Sequence, residues 1–411
     1  MSFDVQRVRA EFPILGRRIH GQALHYLDNA ATSQTPEAVI DRVRQHERES
    51  RANVLRGVHT LAEEATNAYE AARATAARYV NAARPEEIVF TSGTTAAINL
   101  VANSFGESLR AGDEVVLSLL EHHSNIVPWH LLASRRGVVV KFLPVTEDGR
   151  IDTHALPALL TARTKLLALA HVSNVTGAVL DVRTVAALAR ERGIAVLIDG
   201  AQAVPHGPAD VQALGVDFYA FSGHKMYAPN GIGVLWGRHE RLAAMPPFLG
   251  GGSMIHAVTT AGTTPAEPPK RFEAGTPPIA QAIGLAAAMD WIRRHDAAAV
   301  EHHVQALTGR LLDGLGVIDR GRKRIRVMGP SGLQGRYPVV SFDVAGAHPH
   351  DICTLLDQSG VTLRGGHHCA QPLMEHWGLA GTTRASLALY NDAGDVDAFL
   401  RGLDQALGRL L

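Results

Sequence analysis

Six short apolar runs, separated by segments with a helical pattern, constrain the fold of this chain most. The runs span 87–93, 113–122, 137–145, 165–174, 193–202 and 216–225. Between them, residues 94–110 and 182–193 carry apolar side chains at helical spacing. Continuous apolar strands that alternate with helices are typical of a mostly parallel sheet covered by helices on both faces. The pattern therefore predicts an α/β fold.

Polar side chains follow these strands where each one ends, at Ser92, His122, Asn174, Asp199 and Ser222. The carboxyl ends of parallel strands meet at one edge of a sheet, and ligands of open α/β sheets bind there. The sequence thus predicts a site built from residues that are far apart along the chain.

The pattern changes after about residue 290, which predicts a second, smaller α+β domain. We expect a large domain over 22–293 and a small domain over 294–411, with the N-terminal segment 1–21 packing on the small one. The predicted elements of this region are a long helical stretch over 287–315, a strand over 337–346, a helix over 348–360 and a closing helix over 395–411. The Gly/Thr/Pro-rich stretch 250–272 predicts an exposed hairpin or loop.

Charge and cysteine content limit the classes of partner. Forty basic and forty acidic residues cancel to zero net charge, so neither nucleic acid nor a membrane surface is expected as a partner. A signal-peptide core and a run of about 18 apolar residues are both lacking, which predicts a cytoplasmic protein. Two cysteines argue against a disulfide framework and leave open a reactive thiol.

Two ionisable residues stand in unusual sequence contexts. Lys225 lies in "FSGHKMYAPNG", where glycines, a proline and an asparagine oppose a regular helix. A solvated surface loop is the ordinary explanation for such a lysine. Asp199 ends the apolar run "IAVLID", and a buried carboxylate is costly unless it is paired. It is either a capping residue or a partner for a protonated ring nitrogen of a cofactor.

Two further segments could bind a ligand through polar groups. Gly93, Thr94 and Thr95 join a strand to a helix, where free amides and hydroxyls can bind an anion, although such turns are common. His122 and His123 are adjacent, so their side chains point apart, and no cysteine or carboxylate set at ligand spacing accompanies them. We therefore expect no metal site, and stacking of an imidazole on a flat cofactor ring is the better functional alternative.

Cys369 is the candidate nucleophile of the chain. It lies in the polar, glycine-rich segment "RGGHHCAQPLM", close to Arg364 and fifteen residues before Arg384. Nearby cations favour the nucleophilic thiolate, and two arginines can bind a substrate carboxylate through charge-assisted hydrogen bonds. A cysteine that merely packs is the alternative for Cys369, and it is the preferred reading for Cys353, which has apolar helical neighbours.

Ten segments in order resemble one enzyme family over nearly the whole chain. They are "YLDNAATSQTP", "NVLRGVHTLA", "TSGTTAAINLVA", "EHHSNIVPWH", "HVSNVTG", "DGAQAVPH", "FSGHKMYAPNGIGVLWG", "RFEAGTPP", "RGGHHCAQPLM" and "RASLALYN". Together they resemble the class V aminotransferase superfamily of pyridoxal-phosphate enzymes, and within it the SufS-type (group II) cysteine desulfurases. The resemblance implies the pyridoxal-phosphate-dependent transferase fold (fold type I), with a large, mostly parallel sheet of the seven-stranded type and a smaller α+β domain.

The resemblance also implies roles around the pyridoxal ring. Lys225 would bind pyridoxal 5'-phosphate covalently through an imine, and burial would favour the neutral amine that this bond needs. Asp199 would hold the pyridine nitrogen, Gln202 the phenolic oxygen, and His122 would stack on the ring. Asn174 would lie near both cofactor and substrate.

At the phosphate end of the cofactor the resemblance implies Thr94, Thr95, Ser222 and His224. Thr276, in "EAGTPP", would reach the phosphate bound by a partner subunit, which implies a homodimer with shared active sites.

The implied reaction is the conversion of L-cysteine to L-alanine. Arg364 and Arg384 would bind the substrate carboxylate, and Cys369 would take the sulfur as a persulfide for a sulfur-acceptor protein, supplying iron–sulfur cluster assembly. Within the class the alternatives are selenocysteine lyase, acting on L-selenocysteine, cysteine-sulfinate desulfinase, or another reaction such as kynurenine hydrolysis. A non-catalytic scaffold is disfavoured because the lysine and the cysteine are both present.

One position departs from the family pattern. Relatives often have a histidine in "NVHRG", and this chain has Leu55 there. We expect the change to bear on substrate preference or turnover rather than on cofactor binding.

Overall fold

The computed structural model describes residues 3–411. The α-helices, labelled α1 to α14 in chain order, span Val5–Ala10, Glu37–Glu49, Thr60–Tyr79, Thr94–Ser104, Val127–Arg136, Leu156–Leu159, Val182–Glu191, Val211–Leu214, His239–Ala244, Ile279–Ile292, Ala297–Asp319, Pro349–Asp357, Gln371–Trp377 and Ala393–Leu410. The strands, labelled β1 to β17, span Arg18–Ile19, Gln22–Ala23, His25–Tyr26, Ile88–Thr91, Glu114–Ser118, Val139–Leu143, Thr164–Ala170, Ala195–Asp199, Phe218–Ser222, Gly233–Gly237, Ile255–Thr259, Gly262–Pro265, Ile325–Met328, Val339–Val344, Val361–Thr362, Arg364–Gly366 and Thr382–Ser386.

A seven-stranded sheet of order β4-β10-β9-β8-β7-β5-β6 forms the centre of the molecule. The five strands from β9 to β6 are parallel, and β10 is antiparallel to both of its neighbours. Successive side chains of a strand point to opposite faces. Accordingly Leu166 and Ala168 pack in one apolar cluster, while Leu167 and Leu169 pack in another. The predicted mostly parallel sheet covered on both faces is confirmed.

The strand β10 is not among the six predicted strands. It follows β9 after only the residues 223–232. A parallel crossover needs a connection of a dozen or more residues, so this short link requires an antiparallel return beside β9. The connection itself carries Lys225 in a 3₁₀ turn, Gly223–Lys225.

A second sheet of four antiparallel strands, order β13-β14-β17-β16, lies in the C-terminal part. The helices α11, α12 and α14 cover it, and together they form a separate apolar cluster that includes Leu311, Phe342, Leu356 and Phe399. This is the expected smaller α+β unit. The stretch 250–272 contains the exposed antiparallel pair β11 and β12, so the hairpin prediction for it is confirmed.

The single helical stretch predicted over 287–315 is wrong, because the chain forms two helices there. The first, α10, ends at Ile292, and α11 begins at Ala297. The Asp296 side chain accepts hydrogen bonds from the backbone N–H groups of Ala298 and Ala299, which caps a new helix start. The sequence does mark this break, because the four residues 293–296 are polar and aspartate, here Asp296, is a favoured N-cap residue.

The N-terminal segment contacts residues on both sides of the predicted domain boundary. Residues 1 and 2 lie outside the described range. Arg9 Nη1 donates to Asp395 Oδ2 at 2.6 Å, and the Phe12 ring packs edge-on against Trp291 with centroids 5.3 Å apart. The boundary between residues 293 and 294 and the assignment of segment 1–21 to the small domain stay predictions.

Within residues 3–411, none of the helices is both long enough and apolar enough to cross a membrane. The same residues bring together no group of three or more side chains that could hold a metal ion.

A buried ion pair joins α3 to the edge strand β4. Glu273 accepts hydrogen bonds from Arg73 Nη1 at 2.7 Å and Nη2 at 2.8 Å, from Tyr69 Oη at 3.0 Å and from the Phe90 N–H at 2.7 Å. The side chains of Arg73 and Glu273 are 3% and 9% exposed. A pair so well hydrogen-bonded tolerates burial, whereas loss of one partner leaves an uncompensated charge.

We expect Glu273→Gln to lower the free energy of unfolding by about 3 kcal/mol, because the Arg73 guanidinium loses its buried counter-charge and keeps only the partly exposed Glu70 carboxylate, 2.9 Å from its Nε. Urea unfolding followed by circular dichroism measures this. The control is Glu267→Gln, which removes an 82% exposed carboxylate that lies 3.7 Å from Arg271 and should cost less than about 0.5 kcal/mol. Equal losses in the two variants would contradict the role assigned to burial.

Candidate active site

One cavity of about 210 Å³ lies at the carboxyl edge of the parallel strands. Asp199 and Ser222 are the last residues of β8 and β9, and Thr94 is the first residue of α4. Of the predicted site residues, the cavity is lined by Thr94, Thr95, His122, Asn174, Asp199, Gln202, Ser222, His224, Lys225, Arg364, Cys369 and Arg384. Thr276 is exposed and is not among the lining residues of this chain.

Burial sets the charge states of Lys225 and Asp199. Burial lowers the pKa of Lys225 to about 8, although the charge of Asp199 opposes this shift. The pKa of Asp199 is raised by burial, while its hydrogen bond from the Ala201 N–H at 2.9 Å and the charge of Lys225 act to lower it. With a pKa near 8, about a tenth of the Lys225 amine is neutral at pH 7. A neutral amine is therefore available at this point of the cavity.

The helix α4 begins inside a cluster of hydroxyl groups. Ser222 Oγ accepts a hydrogen bond from the Thr94 N–H at 2.8 Å and lies 2.7 Å from Thr94 Oγ1. Thr95 Oγ1 lies 2.7 Å from Ser124 Oγ. Free N–H groups at a helix start, with hydroxyl donors around them, suit an anion such as a phosphate.

Glycine is required where this helix start approaches β10. A Cβ on Gly233 would lie 2.5 Å from Gly93 Cα, and Gly93 itself has a φ of +140°. Any side chain at Gly233 would push the start of α4 away from Ser222. These two glycines therefore keep the hydroxyl cluster closed around the helix terminus.

His122 is held as a neutral ring on the cavity wall. Its Nδ1 accepts a hydrogen bond from the Ser124 N–H at 3.1 Å, so the ring proton is on Nε2. Burial, and next the charge of Lys225, lower the pKa of His122 to about 3. A neutral, oriented imidazole can stack on a flat ring, as the resemblance implies.

Two arginines face one aspartate across neighbouring strands. Arg364 and Arg384 are directly opposed in the pairing of β16 and β17. Asp28 Oδ1 lies 3.1 Å from Arg384 Nη2, and Asp28 Oδ2 lies 3.5 Å from Arg364 Nε. One carboxylate cannot neutralise two guanidinium groups, so this end of the cavity keeps positive charge for an anionic substrate group.

Asp28 is a site residue that the sequence analysis did not single out. It lies in the quoted segment "YLDNAATSQTP", where a carboxylate follows an apolar residue, and that is its only local signal. Asp28 contacts the cavity through its arginine partners, and Ser124 and His368, which line the cavity itself, were not assigned a role either. Their roles depend on contacts between distant segments, which the sequence pattern does not report.

The segment that carries Cys369 is short and held from several sides. It joins β16, which ends at Gly366, to α13, which begins at Gln371. His368 and Cys369 have φ values of +52° and +56°, a left-handed conformation that costs such residues about 1–3 kcal/mol each. Asn174 Nδ2 donates to the His368 carbonyl at 2.8 Å, which helps to hold that conformation.

The other two positions of interest lie outside the cavity lining. Cys353 lies on α12, and burial raises the pKa of its thiol to about 12, in agreement with a packing role. Leu55 is half-buried, has a φ of +75°, and its N–H donates to Thr66 Oγ1 at 2.9 Å. Within this chain it packs against the large apolar cluster rather than into the cavity.

Two buried donors or acceptors of the cavity lack a partner within residues 3–411. They are Arg384 Nε and His368 Nδ1. Less than 1 Å² of either atom is accessible, so they are unsatisfied groups behind the cavity wall and not donors or acceptors that face a ligand. The buried Asp199, the Lys225 amine with its lowered pKa and the hydroxyl cluster fit a ligand with a ring nitrogen, an aldehyde and a phosphate.

Comparison with known proteins gives consistent matches. The aminotransferase class-V family matches residues 25–399. A protein named cysteine desulfurase from Serratia proteamaculans (strain 568) is 49% identical, with all of both chains covered. A second protein of that name, from Dickeya dadantii (strain 3937), is 48% identical over 100% of this chain and 98% of the relative.

Solved structures agree with these relatives. The crystal structure of the cysteine desulfurase CsdA (S-sulfonic acid) from Escherichia coli has a TM-score of 0.91 and 42% identity, with full coverage of both chains. The apo structure of a cysteine desulfurase from Thermococcus onnurineus NA1 has a TM-score of 0.93 and 38% identity, with 98% of both chains covered.

We expect the Lys225 amine of the ligand-free protein to titrate with a midpoint near pH 8, against about 10.4 for an unperturbed lysine. Competitive labelling with acetic anhydride between pH 6 and 11, followed by peptide mass spectrometry, measures this. Asp199→Asn should lower the midpoint, because the Asp199 charge raises the pKa of Lys225. A midpoint above pH 10 in the parent protein would contradict the assignment of a largely desolvated amine.

Proposed function

The chain belongs to the class V aminotransferase family, and on that premise we propose that it is a pyridoxal-phosphate-dependent cysteine desulfurase. It converts L-cysteine to L-alanine and transfers the sulfur to Cys369. The observation that carries this proposal is one cavity lined by a lysine of lowered pKa, a buried aspartate, two arginines and a cysteine. The full-length identity of 49% to a protein named cysteine desulfurase supports it.

The cavity residues fit the cofactor as a set. When bound, pyridoxal phosphate supplies an aldehyde that takes up an amine and a ring that accepts an electron pair. Lys225 would hold it through Nζ, Asp199 at the ring nitrogen, Gln202 at the phenolic oxygen and His122 by stacking. Its phosphate would be held by the Thr94, Thr95, Ser222 and His224 side chains at the start of α4.

Substrate binding would use the positive end of the cavity. Arg364 and Arg384 would hold the L-cysteine carboxylate through charge-assisted hydrogen bonds, with Asn174 beside them. Arg384 is 2% exposed and donates from Nη1 to the Asn174 carbonyl at 2.9 Å, so its guanidinium is oriented before substrate arrives.

Proton transfer would use Lys225. As a neutral amine, its Nζ can take the proton from the substrate Cα, and the pKa near 8 suits a general base at neutral pH. The same group can return a proton to carbon, which yields L-alanine. The charge of Asp199 would meanwhile favour a protonated ring nitrogen opposite it.

Sulfur transfer would use the Cys369 thiolate. Its Sγ attacks the sulfur of the bound L-cysteine, so an S–S bond forms as the Cβ–S bond breaks. The electron pair of the broken bond passes to Cβ, which takes up a proton. Cys369 then carries a persulfide, and the reaction needs no external oxidant.

We also propose that the chain is of the SufS type and passes its persulfide to an acceptor protein that supplies iron–sulfur cluster assembly. The support is the compact Cys369 segment, in which only residues 367–370 join β16 to α13. Because this segment is so short, it cannot carry the Cys369 persulfide far from the cavity. An acceptor protein therefore has to approach the cavity. A cytoplasmic location stays a prediction from the sequence.

A homodimer with shared active sites is part of the same proposal. Thr276 is exposed and lies outside the cavity of its own chain, as a residue that serves a partner would. Exposed apolar side chains, Val127 and Leu131, lie one turn apart on α5 and offer surface that a second subunit could cover.

We expect Cys369→Ser to bind cofactor and still change its absorbance when L-cysteine is added, but to form neither sulfide nor persulfide. A hydroxyl is a far weaker nucleophile toward sulfur than a thiolate is. Alanine assay, sulfide assay with a thiol reductant, and intact mass measure the outcome. Part of the activity on L-selenocysteine should remain, since selenium leaves more readily.

Cys353→Ser is the matched control for this variant, and it should leave all of these measurements unchanged. Sulfide production by Cys369→Ser, or its loss in a folded Cys353→Ser, would show that Cys369 is not the nucleophile. If the parent protein yields no alanine from L-cysteine, the proposed function is wrong.

We expect low turnover with small thiols alone and a higher rate with an acceptor protein, because Cys369 is recessed. Deleting residues 255–265, the exposed hairpin, should reduce this stimulation more than it reduces the basal rate. Light scattering should show that the parent protein, with a chain mass of 44.0 kDa, and the hairpin-deletion variant are both dimers. Equal loss of basal and stimulated rates, or a monomeric variant, would point to a folding or dimer role of the hairpin instead.

A further inference from the structure

His123 contacts the Cys369 segment at two points, and the proposed reaction does not use it. The His123 N–H donates to the Cys369 carbonyl at 2.7 Å. On the other side, the Gln371 N–H donates to His123 Nε2 at 3.1 Å. One residue therefore binds the backbone on both sides of Ala370. Its ring also lies against that of His367, with centroids 5.7 Å apart and planes inclined by 36°.

The segment needs such contacts because its backbone conformation is unfavourable by itself. His368 and Cys369 are two consecutive non-glycine residues in the left-handed region. The first of them is anchored by Asn174 Nδ2 at its carbonyl and by Thr382 at its ring Nε2, 3.0 Å from the Thr382 carbonyl. The bonds from His123 hold the second half of the segment, from Cys369 to the start of α13.

His123 is joined to the cavity wall through the residue that precedes it in the chain. The preceding residue is His122, whose ring lines the cavity and is held by the Ser124 N–H at 3.1 Å. A single peptide bond thus separates the ring proposed to stack on the cofactor from the residue that holds the cysteine segment. Movement of Cys369 relative to His122 is limited by this short connection.

We infer that His123 is a positioning residue that fixes Cys369 relative to the cofactor-facing His122. Nε2 acts as an acceptor, so the working form is the neutral ring with its proton on Nδ1. Burial, and next the neighbouring His367, lower the pKa of His123, which favours this form. The role of Cys369 as nucleophile rests on the proposed function, whereas the two contacts do not.

The test uses two substitutions of His123 in the holoenzyme. His123→Met keeps a side chain of similar length and removes the acceptor, while His123→Gln keeps an acceptor oxygen near the place of Nε2. In the Met variant we expect alkylation of Cys369 by iodoacetamide to become about fivefold faster and alanine formation about fivefold slower, the change expected for loss of one hydrogen bond. The Gln variant should restore both rates to within about twofold of the parent.

Two internal controls separate positioning from general destabilisation. Alkylation of Cys353, measured in the same digests by mass spectrometry, should not change, since Cys353 lies on α12 and is not part of the segment. The absorbance change on adding L-cysteine should also persist, because it reports on cofactor and Lys225 rather than on Cys369.

Unchanged Cys369 alkylation and alanine formation in the Met variant would overturn the inference. Faster alkylation of both cysteines, or a Gln variant as defective as the Met variant, would also overturn it in favour of a folding role. If the parent forms no alanine at all, the proposed function fails, and the ratio of the two alkylation rates still tests the contact by itself.

Discussion

The parallel alignment of the central strands is the constraint on which the rest of the molecule depends. Because β5, β7, β8 and β9 run in the same direction, their carboxyl ends meet at one edge. That edge receives Asp199 and Ser222 directly, and His122 and Asn174 shortly after their strands end. The antiparallel strand β10 lies beside β9, and the turn that joins these two strands places Lys225 at the same cavity.

The cavity has fewer acidic than basic side chains, and this difference sets its charge balance. Asp28 serves two arginines, and Asp199 is itself buried. Removal from water lowers the pKa of Lys225 more than the charge of Asp199 raises it. The arrangement thus combines an amine of lowered pKa with fixed guanidinium groups, and this combination suits an amino acid whose carboxylate must be held while its Cα proton is removed.

Much of the fold was predictable because buried strands and helices show characteristic patterns of apolar residues in the local sequence. The six predicted strands carry apolar side chains on both faces, as strands covered by helices must. Strand β10 was not predicted, although its connection to β9 is short; its pairing with β4 joins residues that are distant in sequence. The break between α10 and α11 was not predicted because one helix was drawn across the polar residues 293–296, whereas the two helices pack into different apolar clusters.

The sequence by itself determined which chemical groups are available: a lysine in a glycine-rich turn, a carboxylate ending a buried strand, and a cysteine near two arginines. These signals are local, because each depends on a residue and its immediate neighbours. Tertiary structure alone decided which groups meet, such as Asp28 with Arg384, and His123 with the backbone on both sides of Ala370. Such contacts join positions hundreds of residues apart, and their energies depend on distance and burial, which only the folded chain defines.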